Sequence, residues 1–317
     1  MDSRSRVKIF KMIKNNSFLK IEKTISLPIA VETQAIAITW NEELYILINS
    51  AANKETFVFK LNTSLSFEKI ARLPLLSTSA TICKQQLIVI GANREGKPLV
   101  IAINNSGEIQ KENILEITPT IWPVMACSNE TIIAWQENAT EIERGYFNVE
   151  TNKIEKLPSI SVSNPPAIIF PLKEEIVATL SEKNKTHLIN LTSGEITNLD
   201  ISQPMAIGKT INSIFYGWLE KDTVSLKFLK NSKEVNFHLK NASLGKLNAI
   251  SGKEATLWIQ KQETEIGNDY QWNSAIIQEN TAIFEIEGFI YAVGSWNDKI
   301  ILIQNSRLIL LKKSINN

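Results

Sequence analysis

The chain is poor in the residues that build compact chemical sites. Its 317 residues include two histidines, two cysteines and twelve glycines. His187 and His238 lie far apart, with no acid or cysteine at ligand spacing, so zinc sites of the H-E-x-x-H type are missing. Both read as strand histidines. There is no G-x-S-x-G elbow, no Walker phosphate loop and no G-x-G-x-x-G turn, and so few glycines leave little backbone for a phosphate cradle. Arginine is confined to Arg4, Arg6, Arg72, Arg94, Arg144 and Arg307, which limits bidentate recognition of carboxylate or phosphate to few positions. The acidic pairs Glu42-Glu43 and Glu174-Glu175 read as solvated turns. These absences argue for a protein that is not an enzyme and that uses neither metal nor cofactor.

Long apolar runs are also absent. Nothing approaches the 18 residues of a membrane-spanning helix, and Val7–Phe18 is broken by Lys8, Lys11 and Lys14, which excludes a secretory core there. Net charge is +1, unevenly spread: residues 1–20 are basic and the body is mildly acidic. Neither nucleic acid nor a stable membrane anchor is expected. Cys83 and Cys127 sit just before strands at matching points of adjacent repeats. Such positions are expected to lie beyond disulfide reach, so two buried thiols and a cytoplasmic setting are the expectation. Asn-x-Ser/Thr recurs at Asn15, Asn62, Asn104, Asn129, Asn138, Asn190 and Asn241 and reads as a product of composition.

What the chain does have is a period. Pro28, Pro74, Pro119, Pro165 and Pro204 punctuate it almost regularly. Between them recur short apolar runs: Leu44–Ile48, Leu87–Ile90, Thr131–Trp135, Glu175–Leu180, Ser213–Trp218, Ala255–Ile259 and Phe289–Val293. Their starts lie 34 to 44 residues apart. A repeat of that length made of short strands marks a β-propeller. Each run reads as the second of four antiparallel strands that grow more polar outward. The expectation is an all-β, closed propeller of seven four-stranded blades, with six or eight as alternatives. Residues 17–317 form its single domain, residues 1–16 are a basic tail, and any helix is confined to that tail. Phe18–Pro28 (FLKIEKTISLP) repeats the outer-strand phrase before any complete blade, so the N-terminal strand is expected to close the ring. Arg307–Lys312 competes for that role, and Lys261–Trp272 reads as a long polar insertion.

Ile286–Asp298 (IEGFIYAVGSWND) resembles the core of a kelch repeat, and the other repeats resemble it only in strand order. The double glycine of kelch is missing, since Ser295 follows Gly294, and so are the Gly-His and Trp-Asp pairs of WD40 blades. The resemblance implies propeller architecture and a binding role.

The aromatic residues suggest where binding occurs. Loops after the second strands share one face with the links between blades. On this template Trp122 falls in a link, Trp135, Trp218 and Trp296 end second strands, and Tyr270 and Trp272 end the polar insertion. Trp40 falls on the other face and Trp258 in a core strand. Rigid aromatic rings gain contact area at low entropic cost. Glu137, Glu141, Glu143, Glu220, Asp222, Glu263, Glu265, Asp269 and Asp298 are expected around them, giving an acidic face. The expected function is a scaffold or sensor subunit of a larger assembly that binds a protein or peptide, the acidic face favouring a basic segment. The alternative is a small-ligand or sugar-binding protein, or a hydrolase, with its site at the central channel.

Overall fold

The computed structural model describes residues 8–9, 17–162, 168–172, 174–182, 185–199, 201, 206–230, 233–239, 245–264, 270–279 and 283–315. These residues form strands and turns, with no helix among them and so none able to cross a membrane. The chain starts with β1 (Lys8–Ile9) and β2 (Ser17–Ser26). Seven antiparallel sheets, the blades of a propeller fold, then follow in sequence order. Blade 1 is β3 (Ala35–Trp40), β4 (Glu43–Ser50), β5 (Glu55–Leu61) and β6 (Phe67–Leu73). Blade 2 is β7 (Leu76–Cys83), β8 (Gln86–Ala92), β9 (Pro98–Ile103) and β10 (Ile109–Ile114). Blade 3 is β11 (Ile121–Cys127), β12 (Thr131–Gln136), β13 (Glu141–Asn148) and β14 (Lys153–Ser161). Blade 4 is β15 (Ile168–Leu172), β16 (Glu175–Glu182), β17 (Lys185–Asn190) and β18 (Ile196–Leu199). Blade 5 is β19 (Ala206–Lys209), β20 (Ile214–Glu220), β21 (Thr223–Phe228) and β22 (Glu234–His238). Blade 6 is β23 (Gly245–Ile250), β24 (Thr256–Thr264), β25 (Tyr270–Gln278) and β26 (Phe284–Glu287). Blade 7 is β27 (Ala292–Trp296), β28 (Lys299–Ile303) and β29 (Arg307–Ile315), completed by β2.

Apolar patterning explains the order within a blade. β9 is buried at every position, because it lies inside its sheet and between neighbouring blades. β10, the outer strand of the same blade, is mostly exposed. The first strands of consecutive blades run side by side, β3 with β7 and β7 with β11. Core clusters therefore form between blades: Val58, Leu73, Leu87 and Ile101 join blades 1 and 2, and Phe215, Leu226, Leu257 and Ala275 join blades 5 and 6.

Turn chemistry is equally local. Asn41 and Glu42, Lys84 and Gln85, and Asn297 and Asp298 all have positive φ. Each pair makes the two-residue turn from first to second strand that matches strand twist. The turn from third to fourth strand is held by one asparagine. The Oδ1 of Asn62 accepts from Ser66 N, that of Asn104 from Ser106 N and Glu108 N, that of Asn148 from Glu150 N, and that of Asn190 from Thr192 N. Three of the Asn-x-Ser/Thr sites, at Asn62, Asn104 and Asn190, are thus asparagine turns that satisfy backbone N–H groups.

β2 pairs with β29 from Ser17↔Ile315 to Ser26↔Arg307. The outermost strand of blade 7 thus comes from the N-terminal part of the chain, as expected. Arg307–Ile315 is the third strand of that blade. The chain groups into two compact units, residues 1–31 with 204–317, and residues 32–203.

Three expectations are corrected. Cys83 and Cys127 are joined in a disulfide with Cα atoms 5.6 Å apart. They end β7 and β11, and first strands converge, so matching positions there come within bonding reach. With both thiols oxidised, the cysteines no longer argue for a reducing compartment. The proposed insertion at Lys261–Trp272 is instead an extension of the β24–β25 hairpin, paired out to Thr264↔Tyr270. The run Phe289–Val293 is not the second strand of blade 7. It forms the link from β26 and the start of β27, and the second strand is β28. Of the basic tail, residues 1–7 and 10–16 lie outside the described residues, while β1 pairs with β26 through Lys8↔Glu285 and Ile9↔Phe284.

Candidate interaction surface

In the unit built from residues 1–31 and 204–317, the link between blades 6 and 7 carries a group of three aromatic rings. Trp272 lies near the start of β25, and Phe289 and Tyr291 lie in the link. Trp272 meets Phe289 edge-on at 5.0 Å between centroids, and Phe289 meets Tyr291 at 4.8 Å. All three are partly exposed. Edge-to-face contact is the preferred geometry of aromatic pairs.

The link holding these rings is pinned along its length. Gly288 N donates to Trp272 O at 2.7 Å, and Ser274 Oγ to Gly288 O at 3.0 Å. Gln304 Nε2 donates to Glu287 O at 2.8 Å. Ile290 N donates to Gln260 Oε1 at 3.1 Å, and Tyr291 N to Ile303 O at 2.8 Å. Gly288 has φ of 105°, a backbone conformation that favours glycine, and the Gln304 amide packs 2.9 Å from where a Cβ would sit. Arg307 Nε donates to Gln304 Oε1 at 2.7 Å and fixes the amide that braces the link. Ile290 is buried between the two partly exposed aromatics, so alternation along an extended link turns Phe289 and Tyr291 outward.

The six aromatic positions singled out by sequence are not equivalent. Trp272 belongs to this group. Tyr270 begins β25, and its side chain lies outside the described part, as do those of Glu263, Glu265 and Asp269. Trp218 is partly exposed near the end of β20, stacked on Tyr216 at 6.0 Å, beside a shallow recess of about 470 Å³ lined by Glu220, Lys221 and Glu234. Trp296 is buried at the end of β27, a first strand, so it and Asp298 belong to the opposite strand ends from Trp218 and Trp272. Asp298 pairs there with Lys253 at 3.1 Å. Trp40 ends the first strand of blade 1 in the same way and is also buried.

In the unit of residues 32–203, Trp122 and Trp135 lie at the same end of β11 and β12, whose register pairs Ile121 with Gln136. Trp122 is partly exposed beside a bulge. Trp135 is 0% exposed, packed with Ile88, Met125 and Phe147, and its Nε1 donates to Glu137 at 3.1 Å. Its position at a strand end is as expected, but its ring is core.

Sequence reasoning missed Phe289 and Tyr291 as surface groups, because an apolar F-I-Y run reads as an inner strand. The signal that distinguishes it is Gly288, a left-handed position at the start of the run.

No family model matches the sequence, and no curated protein matches it. Solved structures do resemble it in fold. A crystal structure of BBS1N in complex with ARL6DN superimposes with a TM-score of 0.56 at 14% identity, covering 93% of this chain and 97% of that one. U3-55K gives 0.56 at 7% identity, with 92% and 98% covered. A chain of the mitotic checkpoint complex gives 0.55 at 10% identity, with 98% and 96% covered. The chain is a seven-bladed β-propeller. Two of these three similar structures are complexes of proteins.

Proposed function

We propose that this propeller is a non-catalytic interaction module that binds a protein or peptide segment on the Trp272–Phe289–Tyr291 group. The observation that carries the reading is the combination of partly exposed rings with a hydrogen-bonded link beneath them. A rigid aromatic group loses little entropy on binding, and such groups anchor interfaces. Aromatic faces accept apolar side chains and cations alike, so a segment bearing Lys or Arg suits the group. The kelch-like phrase Ile286–Asp298 supplies two of the three rings, in keeping with the binding role its resemblance implies. Similar propellers found within protein complexes support the same reading. Trp218, in the same unit, extends the proposed surface.

The test is site-specific photo-crosslinking from a benzophenone side chain at position 291, in the full chain and in cells. One discrete protein adduct is expected, lost on Trp272→Ala. No adduct, or one unaffected by Trp272→Ala, contradicts the proposal.

A further inference from the structure

A second cluster lies in the unit of residues 32–203, at the second-to-third strand turns of blades 1 and 2. Glu55 begins β5, and its side chain is only 7% exposed. It accepts a fork from Arg72: Nε donates to Oε2, and Nη2 donates to Oε1 at 2.9 Å. Arg94 Nη2 donates to the same Oε1 at 3.1 Å. One buried carboxylate therefore holds two guanidinium groups whose side chains are 58% and 67% exposed. Arg72 approaches the Phe57 ring at 6.0 Å and Lys69 approaches it at 5.7 Å. Lys54 Nζ donates to Arg94 O at 3.4 Å. Two cations thus share one buried carboxylate, and Lys54 and Lys69 contact the residues around it.

The arginines are held in place. Arg72 lies on β6 opposite Phe57. Arg94 sits at the tip of a turn in which Asn93 Oδ1 accepts from Glu95 N at 3.0 Å and Lys97 N at 2.8 Å. Among the described residues, Arg72 Nη1 and Arg94 Nε and Nη1 make no hydrogen bond, so the exposed, net positive cluster keeps donors for a further acceptor. A guanidinium fork matches the plane of a carboxylate, and fixing it beforehand removes much of the ordering cost of binding.

We propose that Arg72 and Arg94 form a clamp for a carboxylate side chain of an acidic protein segment, with Glu55 as the positioning residue that sets their spacing. Charge complementarity selects the segment, and the partly exposed Phe57 ring gives an apolar neighbour of that carboxylate a place to rest. The clamp does not depend on the aromatic group of blades 6 and 7.

The probe is a fluorescein-labelled peptide of Glu residues flanking a single Leu, compared with its Gln counterpart, read by fluorescence anisotropy on the full chain at low salt. The Glu peptide should bind at least about tenfold tighter than the Gln peptide, and affinity should fall as salt rises. Arg94→Gln leaves the Arg72–Glu55 pair in place and should weaken binding about tenfold without lowering the melting temperature. Glu55→Gln should also weaken binding, by releasing the two guanidinium groups, although it removes a negative charge from the site. Lys97→Gln, from a neutral exposed pair with Glu95, should change affinity less than about twofold. Equal binding of the two peptides, or an unchanged affinity in Arg94→Gln, overturns the proposal. So does displacement of the peptide by inorganic phosphate at lower concentration, which would make the site a phosphate site.

Discussion

Glu22 and Lys299 form a 2.6 Å ion pair that ties the strand β2 to β28 across the sheet of blade 7. Glu22 is the extra residue of a bulge, since Ile21 pairs with Leu311 and Lys23 with Leu310. A bulge re-aims a side chain, and here the redirected carboxylate also lies 4.0 Å from Lys312. The hydrogen bond from Lys299 holds the Glu22 carboxyl below its usual range, against an opposing effect of burial. Because its folded pKa is depressed, its contribution to stability is present above the unfolded carboxylate value. It is lost as pH falls through the lower folded value. The melting temperature of the wild type should therefore fall more steeply below about pH 4.5 than that of Glu22→Gln. Parallel curves for the two proteins would rule out this role.

The pairing of β2 with β29 joins residues distant in sequence and supplies an entire edge strand. Among the described residues, removing residues 1–14 costs the two-residue pairing of β1 with β26. Removing residues 1–27 exposes the full edge of β29, including buried Leu308 and Leu310, to solvent and to other chains. The shorter truncation should elute and melt close to wild type. The longer one should unfold or aggregate. Size-exclusion chromatography with thermal melting separates these outcomes.

The Cys83–Cys127 bond spans 44 residues. By loop-closure entropy such a crosslink stabilises by about 4 kcal/mol, less whatever structure persists in the reduced unfolded chain. The unfolded, unreduced protein should show no thiol to a thiol reagent. Cys83→Ser with Cys127→Ser should melt measurably lower than wild type under non-reducing conditions. Two reactive thiols on denaturation would contradict the bond.

The repeat was legible because every blade needs one strand apolar on both faces. Six of the seven apolar runs are second strands, from Leu44–Ile48 in β4 to Ala255–Ile259 in β24. The strand-to-strand turns were legible through Asn104 and Asn190, whose chemistry is local. Blade 7 was misread because Phe289, Ile290 and Tyr291 are as apolar as any inner strand. Only Gly288 and the tertiary contacts of Gln260 and Gln304 make that run a link. The disulfide was misjudged because sequence spacing does not reveal that first strands converge. Glu55, Arg72 and Arg94 are 17 and 39 residues apart, and nothing local in the sequence announces that they meet.

Trp135 and Trp258 exchange the weights that sequence alone assigns them. Trp135 is fully buried between blades 2 and 3, whereas Trp258, in the middle of β24, is only partly buried against the blade 6–7 core. Trp135→Ala should cost about 3–5 kcal/mol, the range for a large buried aromatic. Trp258→Ala should cost less. Urea unfolding of both variants decides, and the reverse ranking would contradict the burial argument.

The most direct test of the proposed function is to measure melting temperature and affinity together, on Trp272→Ala and Trp135→Ala. The ligand is the partner captured by crosslinking from position 291. A central aromatic anchor is worth about 2 kcal/mol on truncation, or roughly thirtyfold in affinity. Trp272→Ala is predicted to lose that much affinity while melting within a few degrees of wild type. Trp135→Ala is predicted to melt far lower and, where still folded, to bind as wild type does. If Trp272→Ala lowers the melting temperature as much as Trp135→Ala and leaves affinity untouched, its ring is packing, and the blade 6–7 link is not the binding surface.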